Sequence, residues 1–585
     1  MAATTHDLVV RGGMVADGRG GQLRGADVAV DGGTITAVGA VPGRGAEEID
    51  AEGLLVTPGF VDIHTHYDGQ ATWGERLTPS SWHGVTTAVM GNCGVGFAPV
   101  RHDAHPRLIS LMEGVEDIPG AVLDEGIDWS WESFGEYLDA VERRPHDMDL
   151  CAQLPHGALR LYVMGERAAQ LEEATPEDIA CMRGLATEAL RAGAIGFSTS
   201  RTLNHRTASG DPTPSLRAST DELEAIVMGV ADAGHGVVEL ISDFWPDTDG
   251  EFELVRAMVA RSGVPLSLSL AQSHRRPEAW RDLLGRIEAA VADGLPIRAQ
   301  VAPRAVGVLV GLQSSYHPLL AFPAYGDLTA LPVADQARAL HDPARRARLL
   351  ADMAVDSAVD GGGRQRRRRP IDYGNLYPLG DVPDYEPAPE TSVQRQAAAR
   401  AVDPAELLFD MLAENDGRNF LYSPFSNYAD GNLDACGEML AHPLTVCGLG
   451  DGGAHVGLIS DASFPTFALS HWARDRSRGR MEVGRAVEQL TSATAQAVGL
   501  CDRGVLDAGL RADINVIDFE RLACEPPVMA YDLPAGGKRL LQGARGYCAT
   551  VVAGEITYRD GEPTGALPGR LVRGGRDAAR APRIS

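Results

Sequence analysis

Val56-Thr-Pro-Gly-Phe-Val-Asp-Ile-His-Thr-His-Tyr-Asp68 decides how this chain folds, because a short, mostly apolar run ends on two histidines two residues apart. The run from Leu54 to Ile63 suits a strand buried on both faces, as in the parallel sheet of an α/β protein. Residues i and i+2 of a strand share a face, so His64 and His66 can reach one ion while Ile63 and Thr65 face away. Barrel enzymes place their chemistry at that C-terminal strand end.

Outward from this strand, apolar strand-like runs alternate with helical patterns, which predicts an α/β chain closed as a (β/α)8 TIM-like barrel. Strand ends are expected near residues 66, 92, 155, 200, 242, 271, 302 and 451. Helices are expected over 176–192, opening after Thr175 as N-cap, and over 220–233. The interval between the seventh and eighth strands, 303–443, is too long for a loop and reads as an inserted subdomain. Inside it, the basic run Gly361–Pro370, with its arginines at 364 and 366–369, and the proline-rich run Pro378–Pro389 read as a solvated mobile loop, with a phosphate or subunit contact as the alternative.

Short β-type runs at Asp7, Ala26 and Thr34 match others at Arg511–Asp518, Tyr547–Gly554 and Ile556–Gly561. Residues 1–56 and 500–585 are therefore expected to build one small β-sandwich domain, with the barrel domain spanning 57–499.

The formal charge of −27 over 585 residues argues against nucleic acid or an anionic membrane as partner. No run of about 18 apolar residues marks a membrane span, and a cytoplasmic location is expected. Cys93, Cys151, Cys181, Cys436, Cys447, Cys501, Cys524 and Cys548 show no paired spacing, so neither a disulfide scaffold nor a zinc ribbon is expected. Lys538 is the single lysine.

The His64-Thr-His66 strand resembles the first-strand signature of the amidohydrolase superfamily. Gly59–Asp68 followed by Gly84-Val-Thr-Thr-Ala-Val-Met-Gly-Asn-Cys-Gly94 is similar to its N-acyl-D-amino-acid deacylase (D-aminoacylase) branch, nearly end to end, as a divergent member. The resemblance implies zinc, with Cys93 as ligand in place of the carboxylated lysine that bridges metals in many amidohydrolases. It also implies that Asp451, in Leu444-Thr-Val-Cys-Gly-Leu-Gly-Asp-Gly-Gly-Ala-His455, is the last-strand aspartate, which ligates metal and takes a proton from the attacking water.

The chain departs from the pattern at the fifth and sixth strands, where the family's further histidines give way to Glu239 and Gln272, with His274 offset by two residues. Four bound ligands, His64, His66, Cys93 and Asp451, would close a tetrahedral zinc. Either the ion is five-coordinate, or Asp451 stays outside as general base, or Glu239 or His274 shapes a second site; one zinc per chain is the expectation, with two left open. None of the family's carboxylate-binding side chains is matched, so Arg201 and Arg304 stand as candidates to grip substrate, His156 and His205 to stabilise an oxyanion, and His455 to touch substrate or to support the metal ligands from behind. The implied activity is hydrolysis of an amide of an N-acyl-D-amino acid or related small molecule. The same scaffold acting on a cyclic amide, a lactone or another natural-product substrate, or in non-hydrolytic chemistry, is the alternative, a silent metal-binding scaffold a third, and a homo-oligomer is compatible with the sequence.

Overall fold

Eight parallel strands pair in chain order: Phe60–Asp62, Val85–Met90, Asp149–Pro155, Gly196–Arg201, Val237–Ser242, Leu266–Ser269, Ile297–Val301 and Thr445–Cys447. This computed structural model describes residues 5–356 and 371–575. The ring closes between its first and last strands just beyond their regular ends, where His66 N donates to Gly452 O at 2.7 Å and Asp451 N donates to His64 O at 2.9 Å. The barrel is thus the expected one, and these two bonds fix the histidine pair beside Asp451.

Regular strand geometry stops at Asp62, and the simple alternation stops with it. Ile63 does not face away: with Val61 it joins Val89, Cys151, Val237 and Val446 in an apolar layer sealed by Ala495, Val498 and Leu500. That layer gives the ligand-bearing segments a rigid floor.

The two expected helices form as Pro176–Ala192 and Thr220–Ala233. Thr175 and Asp178 make a reciprocal capping box at the first, and Ser219 Oγ accepts from Glu222 N at the second. Both therefore start where the sequence places a side-chain acceptor for the free amides of the first turn.

Strands from both ends of the chain share one nine-stranded sheet, in which Ile514–Ile517 lies between Leu55–Pro58 and Tyr547–Val552. Leu8, Val10, Val28, Val30, Ile514, Val516 and Val551 form its core. The C-terminal segment does not all stay with this sheet. The hairpin Val528–Leu533 and Gly537–Leu541 reaches the barrel mouth, where Leu540 N donates to Val456 O at 2.6 Å and Lys538 Nζ donates to Gln313 O at 2.7 Å. Farther on, Val572 N donates to Leu150 O at 2.7 Å beside the third barrel strand.

Between the seventh and eighth strands, Val306–Val310, Tyr377–Pro378 and Leu421–Ser426 form a three-stranded sheet. Its neighbours carry a separate core that includes Leu319, Phe322, Tyr325, Leu408, Phe409 and Leu412. The proline-rich run is not a solvated loop: Tyr385 is buried, and Glu386 pairs with His471 and Arg476. The arginine-rich run lies outside the described residues. Among the described residues no helix is long and apolar enough to cross a membrane.

Candidate metal centre

Cys93 enters the site through a tight turn. Gly91, Cys93 and Gly94 all have positive φ, at 80°, 55° and 68°, and a Cβ on Gly91 would lie 2.3 Å from Gln153 O. Only glycine fits there without strain. Asn92 locks the turn to the first strand, donating from Nδ2 to Thr65 O at 3.1 Å and to Val89 O at 2.9 Å, while Gln153 Nε2 donates to Asn92 Oδ1 at 2.7 Å. Cys93 N donates to Glu239 Oε2 at 2.9 Å, so Glu239 holds the turn from the fifth strand.

Asp451 also has positive φ, 46°, and sits among glycines with no room for side chains: a Cβ on Gly450 would meet Asp62 Oδ2 at 2.4 Å and one on Gly452 would meet Ser80 Oγ at 2.5 Å. The first and eighth strand ends can therefore come close enough for the two backbone bonds that join them.

His64, His66 and Cys93 each offer a donor atom within 4.8 Å of the other two. His64 Nε2 lies 3.3 Å from Cys93 Sγ and 3.4 Å from Asp451 Oδ1, and His66 Nε2 lies 3.6 Å from Asp451 Oδ1. Donors on a zinc tetrahedron with ordinary Zn–N and Zn–S bonds stand about 3.3–3.6 Å apart. The His64 ring is oriented from behind: its Nδ1–H donates to Gln300 Oε1 at 3.0 Å, and Gln300 Nε2 donates to Ser267 Oγ at 2.9 Å. A proton on Nδ1 leaves the Nε2 lone pair for an ion. His64, His66 and Cys93 are buried, whereas the Asp451 side chain keeps 18 % of its surface exposed, so it faces the mouth.

Electrostatics point the same way. Burial pushes Glu239 and Asp68 up to about 7 and Glu116 well above the carboxylate range. Burial also raises the Cys93 thiol and lowers His66 to about 4. Asp451 moves the other way: burial alone would raise it, but the nearby His66 together with His64 and His455 holds it below its ordinary value. Buried Glu116 Oε1, Glu239 Oε1, Asp62 Oδ2 and His66 Nδ1 have no hydrogen-bond partner among the described residues. A crowded set of acids, a thiol and imidazoles, with unpaired oxygens, is the donor chemistry that a divalent cation completes, so the residues present fit a metal.

The other expected residues divide. His205 belongs with the centre: Ser200 Oγ fixes its Nδ1 at 3.0 Å, and burial together with His455 and His66 lowers it to about 3. His455 lies at the mouth, 3.5 Å from Glu116 Oε2. His156 does not reach the site as an oxyanion donor, because its Nδ1 pairs with Thr199 Oγ1 at 2.8 Å and its Nε2 with Glu222 Oε1 at 2.9 Å.

Arg304 is not a substrate clamp. It is buried, pairs with Asp461 at 2.9 Å, donates to Ser460 O and Ser463 Oγ, and lies 3.6 Å from the Tyr385 ring centroid. Arg201 is gripped by both oxygens of Glu251 and donates to Ala218 O. His274 is exposed, with Asp372 and Asp430 as its charged neighbours, so it supplies no second-site ligand. Gln272, the other substitute, spends its amide on Asp430 and Ala429.

Sequence reasoning missed Gln300, Asn92 and Glu116. Gln300 carried a usable signal, a polar side chain inside the apolar strand Ile297–Val301. Glu116, at the end of a helix, carried none.

The amidohydrolase family profile matches residues 47–558. The D-aminoacylase of Alcaligenes xylosoxydans xylosoxydans is 28 % identical over 97 % of this chain and 97 % of its own length. The N-acyl-D-glutamate deacylase of the same organism is 27 % identical over 99 % of each. A solved D-aminoacylase, described as having a binuclear metal centre with one-metal activation and second-metal attenuation, superposes with a TM-score of 0.65 at 25 % identity, covering 97 % of this chain and 100 % of that one. With a family match of that extent over a barrel that gathers His64, His66, Cys93 and Asp451, this chain belongs to the amidohydrolase family, hydrolases of carbon–nitrogen amide bonds.

Proposed function

We propose that this chain is a zinc-dependent hydrolase of the amide bond in N-acyl-D-amino acids or related D-residue compounds, with one zinc per chain. The carrying observation is the approach of Asp451 Oδ1 to both imidazoles of the His64, His66 and Cys93 set, at 3.4 and 3.6 Å. His64, His66 and Cys93 would hold the ion, and the relatives' names supply the substrate class. When bound, zinc supplies Lewis-acid polarisation of the carbonyl and acidifies water to a pKa of roughly 7.

Asp451, partly exposed on the mouth side, takes a proton from the attacking water and delivers it to the leaving nitrogen. His205, with Nδ1 engaged by Ser200, keeps Nε2 to stabilise the developing oxyanion. Gln300 and Asn92 position His64 and the Cys93 turn. The dispersed free cysteines suit a reducing compartment, and we place the enzyme in the cytoplasm.

One observation favours a second reading on the same scaffold, a cyclic amide or lactone. Arg201 and Arg304 are already neutralised by Glu251 and Asp461, so neither is free to grip a substrate carboxylate. Assaying zinc-loaded protein on N-acyl-D-amino acids, their L-isomers and cyclic amides decides between the two. Turnover of the D-isomers supports the first reading; turnover confined to the cyclic compounds replaces it with the second.

A further inference from the structure

Glu116 ends the helix His105–Glu116 that follows the second barrel strand, and it is 2 % exposed. Its carboxylate lies between two imidazoles, with Oε1 3.4 Å from His66 Nδ1 and Oε2 3.5 Å from His455 Nε2. The backbone repeats the link, since His455 N donates to Glu116 O. Glu116 Oε1 and His66 Nδ1 face each other, and neither has a hydrogen-bond partner among the described residues. Buried polar atoms are rarely left so, and each is the nearest complement of the other.

We propose that Glu116 is a positioning residue of the metal centre: its carboxyl Oε1 accepts the Nδ1 proton of His66, leaving Nε2 as the donor atom toward the ion, and its second oxygen holds His455 over the mouth. A neutral imidazole carries one proton, and the partner of one nitrogen decides which lone pair the other offers. His64 has Gln300 for this purpose; His66 has Glu116. The gap of 3.4 Å is just longer than a hydrogen bond, and such contacts tighten when a site is filled. This inference rests on the zinc reading above.

The test is zinc affinity of the full chain, measured by competition with a chromophoric chelator, beside the melting temperature of zinc-free protein. Glu116→Ala is expected to weaken zinc binding about 10–100-fold while zinc-free melting stays near wild type. Glu116→Gln, which can still accept from Nδ1–H, is expected to restore most of the affinity and the visible spectrum of the cobalt-substituted protein. In a His66→Ala background, Glu116→Ala should weaken binding no further.

Wild-type zinc affinity in Glu116→Ala would overturn the inference, as would an undiminished effect in the His66→Ala background. Should Glu116→Ala fail to fold, 15N NMR of histidine-labelled, zinc-loaded wild type decides: a proton on His66 Nδ1 supports the assignment, and Nδ1 bound to metal overturns it. A wild type that takes up no zinc overturns the zinc reading itself; a zinc-binding wild type with an indifferent Glu116→Ala overturns this inference alone.

Discussion

Two edges of one barrel mouth teach different things. At the edge built from 62–94 and 447–455, glycine turns and backbone bonds deliver His64, His66, Cys93 and Asp451 to a single point. At the edge that carries His156, Arg201 and Arg304, the polar side chains that look equally available are already spent, Arg201 on Glu251, His156 on Glu222 and Arg304 on Asp461. A functional group is free to work only where its neighbours leave its donors unclaimed. The first edge has that property and the second lacks it.

The sharpest way to break the comparison is to remove a member of the first edge. His64→Ala and Cys93→Ala are expected to lose zinc by metal analysis, with amide hydrolysis falling at least about 1,000-fold as the Lewis acid goes. Asp451→Asn is expected to keep zinc and lose about 100- to 10,000-fold in kcat, the range of a proton-transfer group; loss of the metal would instead make Asp451 a ligand.

A middle-sized effect is expected at the second edge, and in a different quantity. Arg304→Met leaves Asp461 buried without its partner, which should cost about 3–5 kcal/mol in denaturant unfolding, with KM of the surviving folded protein little changed. A large selective rise in KM would restore Arg304 as a substrate contact. His156→Ala should likewise lower stability, by about 1–3 kcal/mol, as Glu222 loses one of its two partners and keeps Arg160, without the loss of zinc expected of His64→Ala.

The smallest effect concerns pH. Burial alone would raise Glu386, but His471, Arg476 and the Leu433 amide outweigh it and hold its carboxyl below the usual range. A carboxyl lower in the folded chain than in the unfolded one stabilises fully above the unfolded value and loses that contribution as pH falls through the folded one. Glu386→Gln should therefore melt a few degrees lower than wild type at pH 7, with the gap narrowing below about pH 4.3.

Much of the first edge was legible in the sequence because its parts are local: His-x-His after an apolar run, a cysteine between glycines, and an aspartate followed by glycines. Strand ends were legible for the same reason, as periodicity and turn residues act over a few positions. The second edge was not, because whether Arg304 is free depends on Asp461 and Tyr385, far away in the chain and set by the insertion's packing. Glu116 was hidden likewise, since nothing near it in sequence shows that it will meet His66 and His455. Ile63 failed locally: the strand ends at Asp62, so counting alternate residues past it no longer tells inside from outside.

The shared sheet and the returning hairpin also bear on how the protein is made. Leu55–Pro58 is synthesised well before Ile514–Ile517, with which it pairs, and Val456 at the mouth receives its bond from Leu540. Contacts of such long sequence separation form slowly. A nascent chain stalled before residue 540 would leave the histidine pair without the hairpin that finishes its surroundings, so competence for catalysis waits on that hairpin.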